Sequence, residues 1–316
     1  MAAHRDPFPA EAASPFGTHD ERREERLRTD CVRVDWSEPQ GRVRAGPLAV
    51  RVLGSGTPTL LLHGLLGSNR YWGGAFDRLA DGGTLLVPDL LGFGASPRPL
   101  SGYGPEEHGR AVIASLRDLN VREPSLVVGH SLGALVAIWL ACNHPERVRG
   151  VIAFAPPLFR DARHMRRQIA KQGVLQRVFG LQNPAATWLA RLACRNLCSA
   201  RPRLATRLYS ALRPALPTPV LEDATRHSWI SYSETVTRVI LAADGAKWVA
   251  AALPPIVIVA GTQDRYLDVE FLRELVDGRP HHRLEVWDGE GHDLPLTRPD
   301  RCLDLIERWR RVAARS

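Results

Sequence analysis

Six short apolar runs set the limits on how this chain folds: Thr59–Leu62, Leu85–Val87, Leu126–Val128, Val151–Phe154, Ile256–Ala260 and Leu284–Trp287. Each is too short for an ordinary helix and lacks the alternation of a half-exposed strand. Each therefore reads as a strand covered on both faces. Helical patterns fall between several of them, at Arg70–Ala80, Pro105–Leu119, Leu132–His144, Leu267–Val276 and Pro299–Val312. This rhythm predicts an α/β architecture, an open and mostly parallel central sheet flanked by helices. Ahead of the runs, Val32, Val34 and Trp36 alternate, as do Leu48, Val50 and Val52. They predict a hairpin-like pair at a sheet edge, with its turn around Gly41–Pro47.

The rhythm breaks between Phe154 and Ile256, where no buried strand is legible and the text becomes helical and rich in arginine. This reads as a helical insertion between two core strands. Residues 1–30, with Pro7, Pro9, Pro15 and the charge run Asp20–Arg28, read as a flexible extension. The expected organisation is thus 1–30 as extension, 31–155 and 254–316 as core, and 156–253 as insertion.

The chain of 316 residues carries a net charge of +8, almost all of the excess being arginine, since Lys171 and Lys247 are its only lysines. Codon preference alone gives such an excess. It also suits an anionic substrate, an acidic carrier or a membrane surface met through the Arg-rich insertion. Nucleic acid is not expected, because no recognisable motif interleaves the arginines with stacking aromatics. No apolar run approaches the roughly 18 residues of a membrane-spanning helix, and the N-terminus shows no signal-peptide pattern, so a cytoplasmic protein is expected. The five cysteines are widely spread, and Cys194 and Cys198 read as packing residues without a metal.

The chemistry concentrates where strands end. Gly129-His130-Ser131-Leu132-Gly133 lies between a buried strand and a helical pattern. A serine on so sharp a turn needs small flanks, and the following helix start aims N–H groups at a developing oxyanion. Ser131 is the expected nucleophile. A serine needs a base. His292, in Gly289-Glu290-Gly291-His292-Asp293 after the last apolar run, falls at the same carboxyl edge of the sheet. Asp264, after Gly261-Thr262-Gln263, is the expected orienting carboxylate, with Asp268 as runner-up. His63-Gly64-Leu65-Leu66-Gly67 supplies the early loop. Its Leu65 N–H, paired with that of Leu132, is the expected oxyanion hole. His63, Gly64 and His130 are candidates for the substrate pocket, His63 also for support of its loop.

Together with Pro88-Asp89-Leu90-Leu91-Gly92-Phe93-Gly94-Ala95-Ser96, these motifs in this order resemble the α/β-hydrolase-fold family. The resemblance implies a helical cap where the insertion lies, after the sixth strand, and implies no cofactor or metal. Serine at position 131 is unlike the dehalogenases and most epoxide hydrolases, which use aspartate. Among the serine branches it implies a carboxylic ester or thioester hydrolase of a small or lipid-like acyl substrate, working through an acyl-enzyme. Other readings of the same triad are a carbon–carbon bond hydrolase, a hydroxynitrile-lyase-like enzyme and a non-catalytic ligand-binding member. Leu65-Leu66-Gly67 departs from the Gly-Pro-Gly loop usual in the carbon–carbon hydrolases.

Overall fold

In the computed structural model, which describes residues 41–170, 184–214, 216–242 and 244–313, the apolar runs assemble into one eight-stranded sheet. The strands are β1 (Arg42–Ala45), β2 (Leu48–Gly54), β3 (Pro58–Leu62), β4 (Thr84–Pro88), β5 (Ser125–His130), β6 (Val148–Phe154), β7 (Ile256–Gly261) and β8 (His282–Trp287). Their spatial order is β1-β2-β4-β3-β5-β6-β7-β8. Pairing is antiparallel from β1 through β2 to β4 and parallel from β4 to β8. The chain steps from β3 outward to β4, then returns to place β5 on the other side of β3. This reversal opens a crevice beyond the carboxyl ends of β3 and β5, where ligands of open α/β sheets bind.

Alternate residues of the inner strands face two different cores. On β7, Ile256, Ile258 and Ala260 join the core on one face, and Val257 and Val259 join the core on the other. Both faces are therefore apolar, which is why these strands read as continuous runs. The first face is covered by α1 (Pro105–Asp118), α2 (Leu132–Asn143), α8 (Gly245–Ala251) and α9 (Val269–Val276), and the second by α11 (Pro299–Ala313) and two 3-10 segments. Helix α2 is buried from Leu132 through Ala141, so it has no polar face. Helix α1 starts on Pro105, with Glu106 and Glu107 in its first turn and Arg117 in its last, matching the helix dipole.

Several expectations need correction. Arg70–Ala80 is not one α-helix. It is two 3-10 segments, Asn69–Trp72 and Gly74–Ala80, divided by Gly73 at φ 60°. The partner of β2 is β1, which lies inside the stretch read as a turn, and the actual turn is Gly46-Pro47. Polar arginines alternate with Val43 and Ala45 on β1, which hid it. The expected strand around Val32–Trp36 and the extension 1–30 lie outside the described residues. Asp268 caps α9, so that helix begins at Val269 rather than Leu267.

Between β6 and β7 the described residues form helices and no strand: α3 (Ala162–Ala170), α4 (Pro184–Ala193), α5 (Pro202–Leu212), α6 (Thr218–Asp223), α7 (Trp229–Thr235) and then α8. Two π-helical turns, Cys194–Ser199 and Val236–Ile240, extend α4 and α7. The insertion is fastened to the core by Asp223, 2% exposed, whose carboxylate accepts from Ser68 Oγ (2.5 Å) and pairs with Arg70 (3.4 Å).

Where α1 crosses α2, Gly109 lies against the Trp139 ring so closely that a methyl group would overlap it. Gly109→Ala is expected to destabilise the fold by about 1–3 kcal/mol despite the better helix propensity of alanine. Urea unfolding would read this as a lower midpoint at unchanged slope.

Candidate active site

The site begins with one strained residue. Ser131 sits between β5 and α2 at φ 51° and ψ −111°, a conformation that costs a non-glycine residue about 1–3 kcal/mol. Close packing on both sides enforces it. A methyl group at Gly129 would strike the Gly133 carbonyl, and one at Gly133 would strike the Leu62 carbonyl of β3. The Ser131 N–H is held by the Phe154 carbonyl of β6 (2.9 Å). The chain thus turns abruptly from strand to helix, with Ser131 at the apex and 9% exposed.

The other expected residues converge there. The Ser131 hydroxyl reaches His292 Nε2 at 3.1 Å, and His292 Nδ1 donates to Asp264 Oδ2 at 2.7 Å. The acceptor-only carboxylate keeps the proton on Nδ1 and leaves Nε2 bare toward the serine. Asp264 is held in turn by the Tyr266 N–H (2.8 Å). Burial pulls the His292 pKa down, but the charge and hydrogen bond of Asp264, aided by Asp293, outweigh it. The pKa ends above its ordinary value of 6.5. Asp268 is committed elsewhere, capping α9 through the Phe271 N–H and meeting His164 Nε2 at 3.0 Å.

The early loop forms the opposite wall. Gly67 N–H donates to the Gly64 carbonyl (3.1 Å), closing a tight turn in which Leu66 takes φ 62°. Leu65 lies in this turn beside the elbow. Leu132 is the first residue of α2, where helix geometry leaves N–H groups without an intrahelical partner. Gly64 is close to the elbow, since a Cβ there would lie 2.8 Å from His130 Nδ1 and 3.5 Å from Ser131 Cβ.

His63 does not fit the expected pocket role. It is fully buried, Nδ1 donates to the Gly64 carbonyl (2.8 Å) and Nε2 accepts from the Leu90 N–H (2.9 Å). Both ring nitrogens are used, so it joins the loop after β3 to the loop after β4 and offers nothing to a ligand. The second loop is itself locked by Asp89, which accepts from the N–H groups of Asn69 (2.6 Å) and Ala95 (2.7 Å). His130 is different. Its Nε2 donates to the His292 carbonyl (3.0 Å), while Nδ1 is buried without a hydrogen-bond partner among the described residues. Burial, then the neighbouring His292, lowers its pKa to about 4, so it is neutral.

Sequence reading missed Tyr71, Tyr266 and the Asp293–Arg213 pair. Tyr71 stacks on His130 (centroids 4.8 Å apart), and Tyr266 lies against the His292 ring (4.6 Å). Arg213, just past α5, pairs with Asp293 at 2.8 Å and so ties the insertion to the His292 loop. Asp293 adjoins His292 and Tyr266 lies two residues past Asp264, which is the signal that could have found them, but nothing marked Arg213 or Tyr71. Among the described residues no three His, Cys, Asp or Glu side chains gather to hold a metal ion. Cys194 and Cys198 are buried thiols in the insertion.

Burial above all keeps three histidines neutral in the fold, with pKa values of about 3 for His108 and about 4 for His130 and His227, against 6.5 when unperturbed. The unfolded chain takes up these protons near pH 6.5 and the folded chain does not. Their stabilisation is complete above pH 6.5 and is lost as pH falls toward about 4, at about 1.4 kcal/mol per pH unit for each uncompensated proton. His292 opposes with one raised pKa. A net fall in unfolding free energy between neutral pH and about pH 5 is therefore expected in urea titrations.

Comparison with known proteins agrees with this architecture. A profile of the alpha/beta hydrolase fold matches residues 57–299. An uncharacterized protein of Mycobacterium tuberculosis is 28% identical over 266 residues, covering 83% of this chain and 77% of that one. Among solved structures, E-2-(acetamidomethylene)succinate hydrolase superposes with a TM-score of 0.68 at 21% identity, covering 85% of this chain and 98% of the other. A thermophilic esterase from Thermogutta terrifontis superposes with a TM-score of 0.66 at 20% identity, covering 86% and 98%. With its sheet order, its elbow after β5 and a family match over most of its length, the chain belongs to the alpha/beta hydrolase fold family and is a hydrolase of that fold.

Proposed function

We propose that the protein is a serine hydrolase that cleaves carboxylic esters or thioesters of small or lipid-like acyl substrates through an acyl-enzyme. The observation that carries this reading is the continuous line from Ser131 Oγ to His292 Nε2 (3.1 Å) and from His292 Nδ1 to Asp264 (2.7 Å). Esterases among the structural neighbours are consistent with it.

In this mechanism His292 Nε2 takes the Ser131 proton as Oγ attacks the substrate carbonyl carbon. The carbonyl oxygen becomes an oxyanion facing the Leu65 and Leu132 N–H groups, fixed dipoles that need no reorganisation. Asp264 holds the ring tautomer and balances the imidazolium. The tetrahedral species collapses, the carbon–oxygen or carbon–sulfur bond to the leaving group breaks, and the leaving group takes the proton from Nε2. Water then gives a proton to Nε2 and its oxygen attacks the acyl carbon. Ser131 regains the proton as the acid leaves. An apolar cavity of about 70 Å³ begins at Leu66, beside the Leu65 turn, and is walled by Ala190, Cys194, Leu197, Leu208 and Tyr232 of the insertion. It suits the hydrocarbon part of the acyl group.

Treatment with a fluorophosphonate and intact-mass measurement tests the reading without a known substrate. One adduct is expected on the wild type and none on Ser131→Ala. Absence of an adduct on folded wild type overturns the proposal. With an ester that is turned over, Asp264→Asn is expected to lower kcat by about 10,000-fold, since the imidazole would then hold the wrong tautomer. Because His292 must be neutral to act and its pKa is raised, kcat/KM is expected to fall on the acid side with a midpoint above 6.5.

A further inference from the structure

The positive charge of the chain is not spread over it. Residues 162–221 hold ten arginines and Lys171 but no aspartate or glutamate, a charge of +11 against +8 for the whole chain. The remainder is net acidic. A general arginine preference would place acids among these arginines, as it does elsewhere in the chain. On α4, its π-helical extension and α5, Arg191, Arg195, Arg203 and Arg207 are exposed, and none makes an ion pair among the described residues. The same elements also expose apolar side chains. Trp188 is 62% exposed on α4, and Leu204, Leu208 and Leu212 on α5 are exposed by 42%, 45% and 61%. The three leucines recur every fourth residue and form one stripe, about 12 Å long at helical rise. Arg203 and Arg207, one residue earlier on successive turns, flank it.

From this arrangement we infer that the α4–α5 face of the insertion docks on an anionic lipid bilayer. A bilayer surface fits both halves of the pattern. Arginines reach the phosphates while their stems and the adjacent leucines enter the acyl boundary, and tryptophan settles at the headgroup level. An acidic protein surface would satisfy the arginines but gives no reason for a protruding stripe of leucine. No helix among the described residues is long and apolar enough to cross a membrane, so attachment is to the surface. The face also leads inward. Leu208 belongs both to the exposed stripe and to the wall of the cavity that ends at Leu66. The inference rests on the acyl-hydrolase reading only for what the docking serves, namely passage of an acyl chain from the bilayer to Ser131.

The test is co-sedimentation of the full chain with vesicles of phosphatidylcholine alone or with about a third phosphatidylglycerol, at about 0.1 M and about 0.5 M salt. Binding is expected with the anionic vesicles only and is expected to weaken at the higher salt. Arg191→Glu, Arg195→Glu, Arg203→Glu and Arg207→Glu combined should weaken it by at least about tenfold. Trp188→Ser with Leu212→Ser should weaken it at both salt concentrations. An unchanged thermal midpoint establishes that each variant folds. Ser131→Ala should bind like the wild type, which separates failure of docking from failure of the catalytic reading. Equal sedimentation with both vesicle types, sedimentation with neither, or binding to an acidic acyl carrier protein without binding to vesicles overturns the inference.

Discussion

The whole arrangement depends on how closely α2 can approach β3. Gly133 presses on the Leu62 carbonyl and Gly129 on the Gly133 carbonyl, and between them Ser131 is forced to positive φ. That contact sets the angle of α2 under the sheet. It places the helix start beside the turn after β3 and lifts the serine hydroxyl into the crevice. The Ser131 N–H bond to Phe154 draws β6 into the same constraint. Strain at one residue is sustained because three strands and a helix determine its position together.

Much of this could be read from residues alone, for an identifiable reason. The inner strands are buried on both faces, so they appear as uninterrupted apolar runs, and glycine spacing around Ser131 records a steric demand that no other residue meets. Ser131, Asp264 and His292 were legible because each follows such a strand at the carboxyl edge. What escaped was whatever depends on contacts distant in sequence. His63 has a loop position like that of a ligand-binding histidine, and only the Leu90 N–H, 27 residues away, shows that its second nitrogen is occupied. Arg213 meets Asp293 across 80 residues, one arginine among many similar ones. The segment Arg70–Ala80 has helical periodicity, but Gly73 at φ 60° interrupts it, and Ser68 and Asp89 take its first N–H groups.

The histidines divide according to what surrounds them. His108, His130 and His227 lie where burial dominates, and remain neutral. His292 is less deeply buried, its side chain 19% exposed, and Asp264 beside it reverses the direction. Protonated His292 is favoured by the fold below about pH 6.5, and that stabilisation disappears as pH rises through its raised pKa. The form competent to accept a proton from serine is thus the one the fold favours less. In the proposed mechanism, a base poised in this way holds its proton readily until the leaving group takes it.

Among the many contacts that attach the insertion to the core, two that flank the Ser131 crevice are unequal. At α6, Asp223 is buried and shared by Ser68 and Arg70, next to the turn that carries Leu65. At the end of α5, Arg213 is half exposed and grips Asp293 beside His292. Parting the first would strand a buried carboxylate, at a cost of several kcal/mol, whereas parting the second leaves both charges to water at a cost of about 1 kcal/mol or less. Beside the crevice, the insertion therefore holds more firmly to the turn that carries Leu65 than to the loop that carries His292.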